Sequence, residues 1–233
     1  MAVINNVFYI IMLITALVLA VVFTIKRSNH ADETGLLLKT MASIAFIFLG
    51  IVSFRGSAGA KTVFAIPGLI MGLTGDIYLD MKFVYPKSDT IYTFTGFGAF
   101  ILGHIFYFIF LVRQYGLFGT GLIVALIVGI IAGIGIYLTP GLMKLDYGMF
   151  RVISSLYAAL LVFITVYAGS LCFSAFTTAK LLFFIGIVLF LISDLILSQI
   201  YFGNDRNTPA AAISNHATYY LGQIFIAASI FWI

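Results

Sequence analysis

The feature that most constrains this chain is a succession of eight apolar runs separated by short polar connections. They fall at about Val3–Thr24, Leu36–Phe54, Thr62–Leu79, Ile91–Leu111, Phe118–Leu138, Met149–Ala168, Ala179–Ile200 and Ile213–Ile233. At 1.5 Å of rise per residue, a helix of ~20 residues crosses the ~30 Å hydrocarbon core of a bilayer. Every backbone polar group must be satisfied internally there, which leaves helices or a closed barrel. The runs are twice the length of a barrel strand and do not alternate in polarity, so they read as helices. Only 9% of the residues are charged, where a soluble domain carries about 25%. The expected fold is therefore an all-α integral membrane protein with eight transmembrane helices, forming one membrane domain over residues 1–233.

The connections carry most of the charge: Lys26, Arg27, Asp32 and Glu33; Arg55 and Lys61; Lys82, Lys87 and Asp89; Arg113; Lys144 and Asp146; and Asp205 with Arg206. Basic residues favour the cytoplasmic side. The odd-numbered loops hold Lys26, Arg27, Lys82, Lys87, Lys144, Arg151 and Arg206, whereas the other side holds Arg55, Lys61, Arg113 and Lys180. This places both termini outside the cytoplasm. Met1–Phe23 has no basic leader or small-residue cleavage site and reads as a retained span. The formal charge of +4 suits basic loops and gives no case for nucleic acid. A single cysteine, Cys172, excludes an internal disulfide and a cysteine metal cluster.

Two carboxylates break the apolar pattern inside spans. Asp76 sits in Thr74-Gly-Asp-Ile-Tyr-Leu79 and Asp194 in Ile192-Ser-Asp-Leu-Ile-Leu197. Asp194 follows Asp76 by 118 positions. Leu102-Gly-His-Ile-Phe106 in the fourth run is matched by Leu221-Gly-Gln-Ile-Phe225 in the eighth, 119 positions later. Two matches at nearly one offset point to a four-plus-four internal duplication, with halves 1–116 and 117–233. An even number of spans per half makes the repeats parallel, related by an axis along the membrane normal. Both carboxylates then lie at similar depth. An ionisable group inside a span costs about 2.5–3.5 kcal/mol on insertion scales, so a pair at matching places suggests acid–base use.

Other polar residues in spans are candidates for positioning a substrate. Lys39 lies a few residues inside the second run, from which it can snorkel to the interface or pair with a carboxylate or phosphate. His104 and Tyr107, three apart, form a polar strip past mid-membrane, on the order of 10 Å from the level of Asp76. In the last run His216, Tyr220 and Gln223 share a face, with Asn215 and Tyr219 beside it. That stripe suggests a wet cavity, although Tyr219 alone fits an interfacial tyrosine. Asp80, one turn beyond Asp76, borders Lys82 and Lys87 and reads as a solvated interfacial charge. His30 falls in a charged loop. No HExxH, no histidine pair four apart, no G-x-S-x-G elbow and no P-loop occurs, so neither metal nor cofactor is expected.

Gly75-Asp76-Ile-Tyr-Leu79, Leu102-Gly-His104-Ile-Phe-Tyr107, Ser193-Asp194-Leu195 and Tyr219-Tyr220-Leu-Gly-Gln223 together resemble the YhhN-type lysoplasmalogenase family. Lys39 and Tyr157 also fit its pattern. Thr40 departs from it, standing where the family favours proline at the start of the second helix. The resemblance implies a multi-pass cell (inner) membrane hydrolase of lysophospholipids drawn from the bilayer. It would cleave the vinyl ether bond of lysoplasmalogen, giving a fatty aldehyde and a glycerophosphoethanolamine or glycerophosphocholine. Asp76 and Asp194 match the family's proposed catalytic pair, with acid and base roles exchangeable at this stage. Lys39, His104, Tyr107, Tyr157, Tyr220 and Gln223 would bind or position substrate. A proton-coupled transporter built from parallel repeats is the competing reading, since paired intramembrane acids describe that class too. A non-catalytic lipid-binding protein leaves the repeated aspartate without a use.

Overall fold

The computed structural model describes residues 2–27, 32–56, 60–138, 141, 144–204 and 206–233. His30 and Asp205, assigned above to loops, lie outside the described residues. Eight α-helices run through the described residues in order: α1 (Ala2–Arg27), α2 (Glu33–Gly56), α3 (Ala65–Val84), α4 (Asp89–Tyr115), α5 (Gly119–Leu138), α6 (Arg151–Ser174), α7 (Thr178–Phe202) and α8 (Pro209–Ser229). Each apolar run became one helix. Most extend beyond the run at one or both ends, because a helix continues through Lys and Arg whose stems reach the polar zone. Thr40 does not disturb α2: its hydroxyl donates to the Leu36 carbonyl at 2.9 Å and the helix passes through. Helices are separated by short 3₁₀ turns and by Gly116 at φ +79°, and α7 and α8 start at threonine caps. Thr177 and Thr208 accept from the backbone N–H of Lys180 and Ala211, and Pro209 occupies the first turn of α8.

Among the described residues, seven helices, α1 to α7, are long and apolar enough to cross a membrane. The expectation of eight such helices meets a difference at α8. Asn215, His216, Tyr219, Tyr220 and Gln223 lower its hydropathy, and all five are buried against other helices. The polar side chains of α8 are thus used inside the bundle.

Consecutive helices pack as antiparallel hairpins, α1 on α2, α3 on α4, α5 on α6 and α7 on α8. Contacts of α2 with α3 and α8, α6 with α4 and α7, and α1 with α8 close the bundle. The hairpins α3–α4 and α7–α8 cross at glycines. A Cβ on Gly68 would stand 3.1 Å from the Gly103 carbonyl oxygen, and one on Gly186 would stand 2.8 Å from that of Gly222. Small residues at such crossings let helix backbones approach, which is the main source of packing where lipid removes the hydrophobic drive. Gly186 follows Gly68 by 118 positions and Gly222 follows Gly103 by 119, the same offsets as the sequence matches. Gly129 and Gly133 perform a similar service between α5 and α6, near Ala159 and Ser155.

Candidate active site

Asp76 and Asp194 each lie eight residues before the last residue of their helix, Val84 and Phe202. At 1.5 Å per residue that is about 12 Å from the helix end. Both line one cavity of about 330 Å³. Its walls come from the C-terminal ends of α1, α3 and α7, the start of α2 and the α7–α8 connection. It reaches inward as far as Phe100 and Tyr219. Beyond them the bundle is filled by Leu69, Tyr107, Phe110 and Phe183, all buried.

The surroundings of Asp76 are polar. Ser43 Oγ donates to Asp76 Oδ2 at 2.5 Å and the Tyr219 hydroxyl donates to the same oxygen at 2.8 Å. Lys39 Nζ stands 3.5 Å from Asp76 Oδ1 and 3.6 Å from Asp80 Oδ1. Arg27 Nε is 3.3 Å from Asp80 Oδ1. Two cations and two carboxylates thus form a cluster without net formal charge, which limits the cost of keeping ions in a low-dielectric interior. Lys39 is 6% exposed and does not snorkel. Asp80, expected to be a solvated interfacial charge, is only 2% exposed. The correction has a simple cause. The end of α1 and the first turns of α2 cover this face of α3, and Asp80's partners come from them and not from Lys82. Lys82 instead lies 3.7 Å above the Tyr201 ring.

Asp194 has different company. The Tyr157 hydroxyl donates to its Oδ2, and no other donor to it occurs among the described residues. Tyr157 follows Lys39 by 118 positions, so the helix before each aspartate supplies its partner from an equivalent place. Asp194 also borders a second cavity of about 70 Å³ between α5, α6 and α7.

The remaining candidates stand behind the cavity wall. The Tyr107 hydroxyl donates to Gln223 Oε1 at 2.8 Å, and Gln223 Nε2 donates to the Tyr219 hydroxyl at 3.2 Å. A hydrogen-bond chain therefore runs from α4 through α8 to Asp76. The Tyr220 hydroxyl lies 3.2 Å from both Ser43 Oγ and the Lys39 carbonyl oxygen. His104 Nδ1 is bonded to the Phe100 carbonyl at 2.6 Å. Its ring meets those of Phe190 and Tyr157, with centroids at 4.8 and 5.6 Å, and its Nε2 has no partner among the described residues. His104 is thus beside the partner of Asp194 and outside the 330 Å³ cavity. His216 does line that cavity, with Phe23 against its ring.

Three contributors escaped the sequence reading. Ser43 is one turn after Lys39 on the same face of α2, a Lys-x-x-x-Ser spacing that marks a polar strip. Tyr219 precedes Gln223 by four residues and shares its face, so it belongs to the buried stripe of α8 and not to an interface. Arg27, counted as a loop charge, is the last residue of α1 and a wall of the cavity. No curated protein and no solved structure matches the chain. The model of the YhhN family, however, matches residues 34–230, from the first turn of α2 to just past the end of α8, and the chain belongs to that family.

Proposed function

We propose that this protein is a membrane-embedded hydrolase that cleaves the vinyl ether bond of lysoplasmalogen by acid–base catalysis with Asp76 and Asp194. The observation that carries the reading is the placement of both carboxyl groups on one cavity near one end of the bundle. Membership of a family of lysoplasmalogenase type supports the substrate class.

The roles follow from the surroundings. Asp76, with Lys39 and two hydroxyl donors, is the carboxylate whose negative charge is compensated. Asp194, without a cation, is the group placed to hold a proton. Asp194 protonates the vinyl carbon remote from oxygen, and the π electrons form the new C–H bond. The resulting oxocarbenium ion is stabilised by the Asp76 carboxylate. Water adds to the oxygen-bearing carbon and gives a proton to Asp76. The hemiacetal then collapses: its hydroxyl proton returns to Asp194, the carbon–oxygen bond to glycerol breaks, and the leaving oxygen takes the proton from Asp76. A fatty aldehyde and a glycerophospho-alcohol leave, with both carboxyl groups restored. Glycosidases solve a comparable oxocarbenium problem with two carboxyl groups. The scheme calls for no metal or redox cofactor.

The architecture proposed with this function is a parallel four-plus-four bundle in a cell membrane. In it α8 is the eighth span, held by its buried polar contacts, and both termini are non-cytoplasmic. The matching glycine crossings and the matching places of Lys39 and Tyr157 support the duplication.

Purified protein incubated with lysoplasmalogen should release aldehyde, and Asp76→Asn and Asp194→Asn should each abolish it while remaining folded. Near-normal turnover in either variant removes the mechanism. Flux of a solute into liposomes without aldehyde would establish the carrier instead.

A further inference from the structure

The second cavity adjoins the first at Asp194, Leu197 and Tyr201, which line both. Their chemistry is opposite. The 330 Å³ cavity is lined by Arg27, Lys39, Asp76 and Asp80. The 70 Å³ cavity presents a surface that is almost wholly carbon. Its walls include Phe97 of α4, Ile136 of α5, Ala158 and Leu161 of α6, and Leu191 and Leu195 of α7. Three hydroxyls on its rim are engaged elsewhere: Tyr157 with Asp194, Ser198 with the Leu195 carbonyl and Tyr201 with the Leu79 carbonyl. Ser154 Oγ is the one buried rim oxygen with no partner among the described residues. Leu195 is 48% exposed on the outer face of α7, so the slot gives onto the apolar surface of the bundle.

We infer that the two cavities are one amphipathic site for a single-chain lipid. The first methylenes of its hydrocarbon tail occupy the α5–α6–α7 slot, and its polar end lies among Arg27, Lys39 and His216. This rests on the hydrolase reading for the chemistry at the junction, but not for the binding geometry. Three observations commit the slot to an alkyl chain. Its surface is apolar, it opens toward the lipid-facing exterior, and it meets the charged cavity at one carboxyl group. The slot runs alongside the charged cavity, from Ile136, Tyr147 and Phe202 at the same end of the bundle to Leu161 and Leu191, the latter about one turn deeper than Asp194. A tail would thus leave the charged cavity sideways between α5, α6 and α7. In this pose the vinyl carbon joined to the tail faces Asp194, which is the carbon that must receive the proton. The rest of a long chain remains in the bilayer, so Ile136, Ala158 and Leu191 set which chains pass without enclosing them.

The test uses a saturated 1-O-alkyl lysophospholipid, which has no vinyl ether to hydrolyse, carrying a diazirine on an alkyl carbon near the ether. The protein in nanodiscs is photolabelled with and without excess unlabelled lipid, and the labelled peptides are mapped by mass spectrometry. Competed labelling should fall on peptides bearing Ile136, Ala158 or Leu191. Ala158→Phe, which fills the slot, should reduce it about tenfold, the size of an overpacking penalty. Leu191→Ala should keep the label and admit a methyl-branched chain that the wild type rejects. Competed label on α1 or α8 peptides overturns the inference, as does a folded Ala158→Phe variant labelled like the wild type. Should Ala158→Phe not fold, the wild-type map and Leu191→Ala decide. Slot labelling without aldehyde release from lysoplasmalogen upholds the tail site and sinks the hydrolase reading. Aldehyde release with labelling elsewhere does the reverse.

Discussion

Asp76 and Asp194 stand at matching places on α3 and α7 and line the same cavity, yet their surroundings differ in kind. Asp76 belongs to a neutral set of four charges and accepts from two hydroxyls. Asp194 accepts from one tyrosine and has carbon on its far side. The two positions match in place along α3 and α7, and the side chains of the neighbouring helices make them unlike. For general acid–base work that difference matters more than the likeness, because two carboxyl groups in identical settings would compete for one proton.

The comparison can be broken by experiment, and the largest effect concerns turnover. Each of Asp76→Asn and Asp194→Asn should lower aldehyde release by about a thousandfold, in the range of losing an essential acid or base. The next effect separates the two sites. Asp76→Asn leaves Arg27 and Lys39 facing only Asp80, and should cost about 3 kcal/mol in an unfolding titration in detergent. On its proposed role as the proton-holding acid, Asp194→Asn replaces an uncharged acid by an amide and should stay within about 1 kcal/mol of the wild type. Equal destabilisation by both would show that the sites are electrostatically alike.

Smaller effects probe the shared scaffold. Gly68→Val and Gly186→Val should each lower stability by about 1–3 kcal/mol through overpacking, because a Cβ there meets backbone of the facing helix. Gly98, whose added Cβ meets nothing within 4 Å, should tolerate Ala with a gain of about 0.5–1 kcal/mol. Unequal costs at Gly68 and Gly186 would weaken the equivalence of the two hairpins. The smallest effect is in the hydrogen bonds. Tyr157→Phe should slow turnover about tenfold and Tyr219→Phe about fivefold, since Asp194 loses its one donor and Asp76 keeps Ser43. The reverse order in kcat would exchange the two roles.

The helices were legible because a bilayer leaves the backbone so few choices; runs near twenty residues mark them almost by length alone. The placement of Asp76 and Asp194 inside helices was legible too, since a charge in an apolar run stands out, and the offset between them can be counted. What was hidden is which helix faces which. Asp80 looked solvated because its sequence neighbours are Lys82 and Lys87, whereas its partners are Arg27 and Lys39, 53 and 41 positions away. Tyr219 looked ordinary for the same reason: its partner Asp76 is 143 positions earlier. The apolar slot had no signal at all. Ile136, Ala158 and Leu191 are unremarkable lipid-span residues until packing leaves a gap between them.

Phe100 and Tyr219, the inner walls of the cavity, bear on how such a site becomes lopsided. Phe100 and Tyr219 are 119 positions apart, the offset that relates α4 to α8, and their rings touch with centroids 6.0 Å apart. Under the proposed duplication, equivalent positions that meet each other lie on the axis relating the halves. In an assembly of two identical chains such a residue would face its own copy, and whatever it offered one side it would offer the other. In the proposed duplication, having both copies in one chain lifts that restriction. Here a single oxygen atom, present on Tyr219 and missing on Phe100, reaches Asp76 and leaves Asp194 without a counterpart.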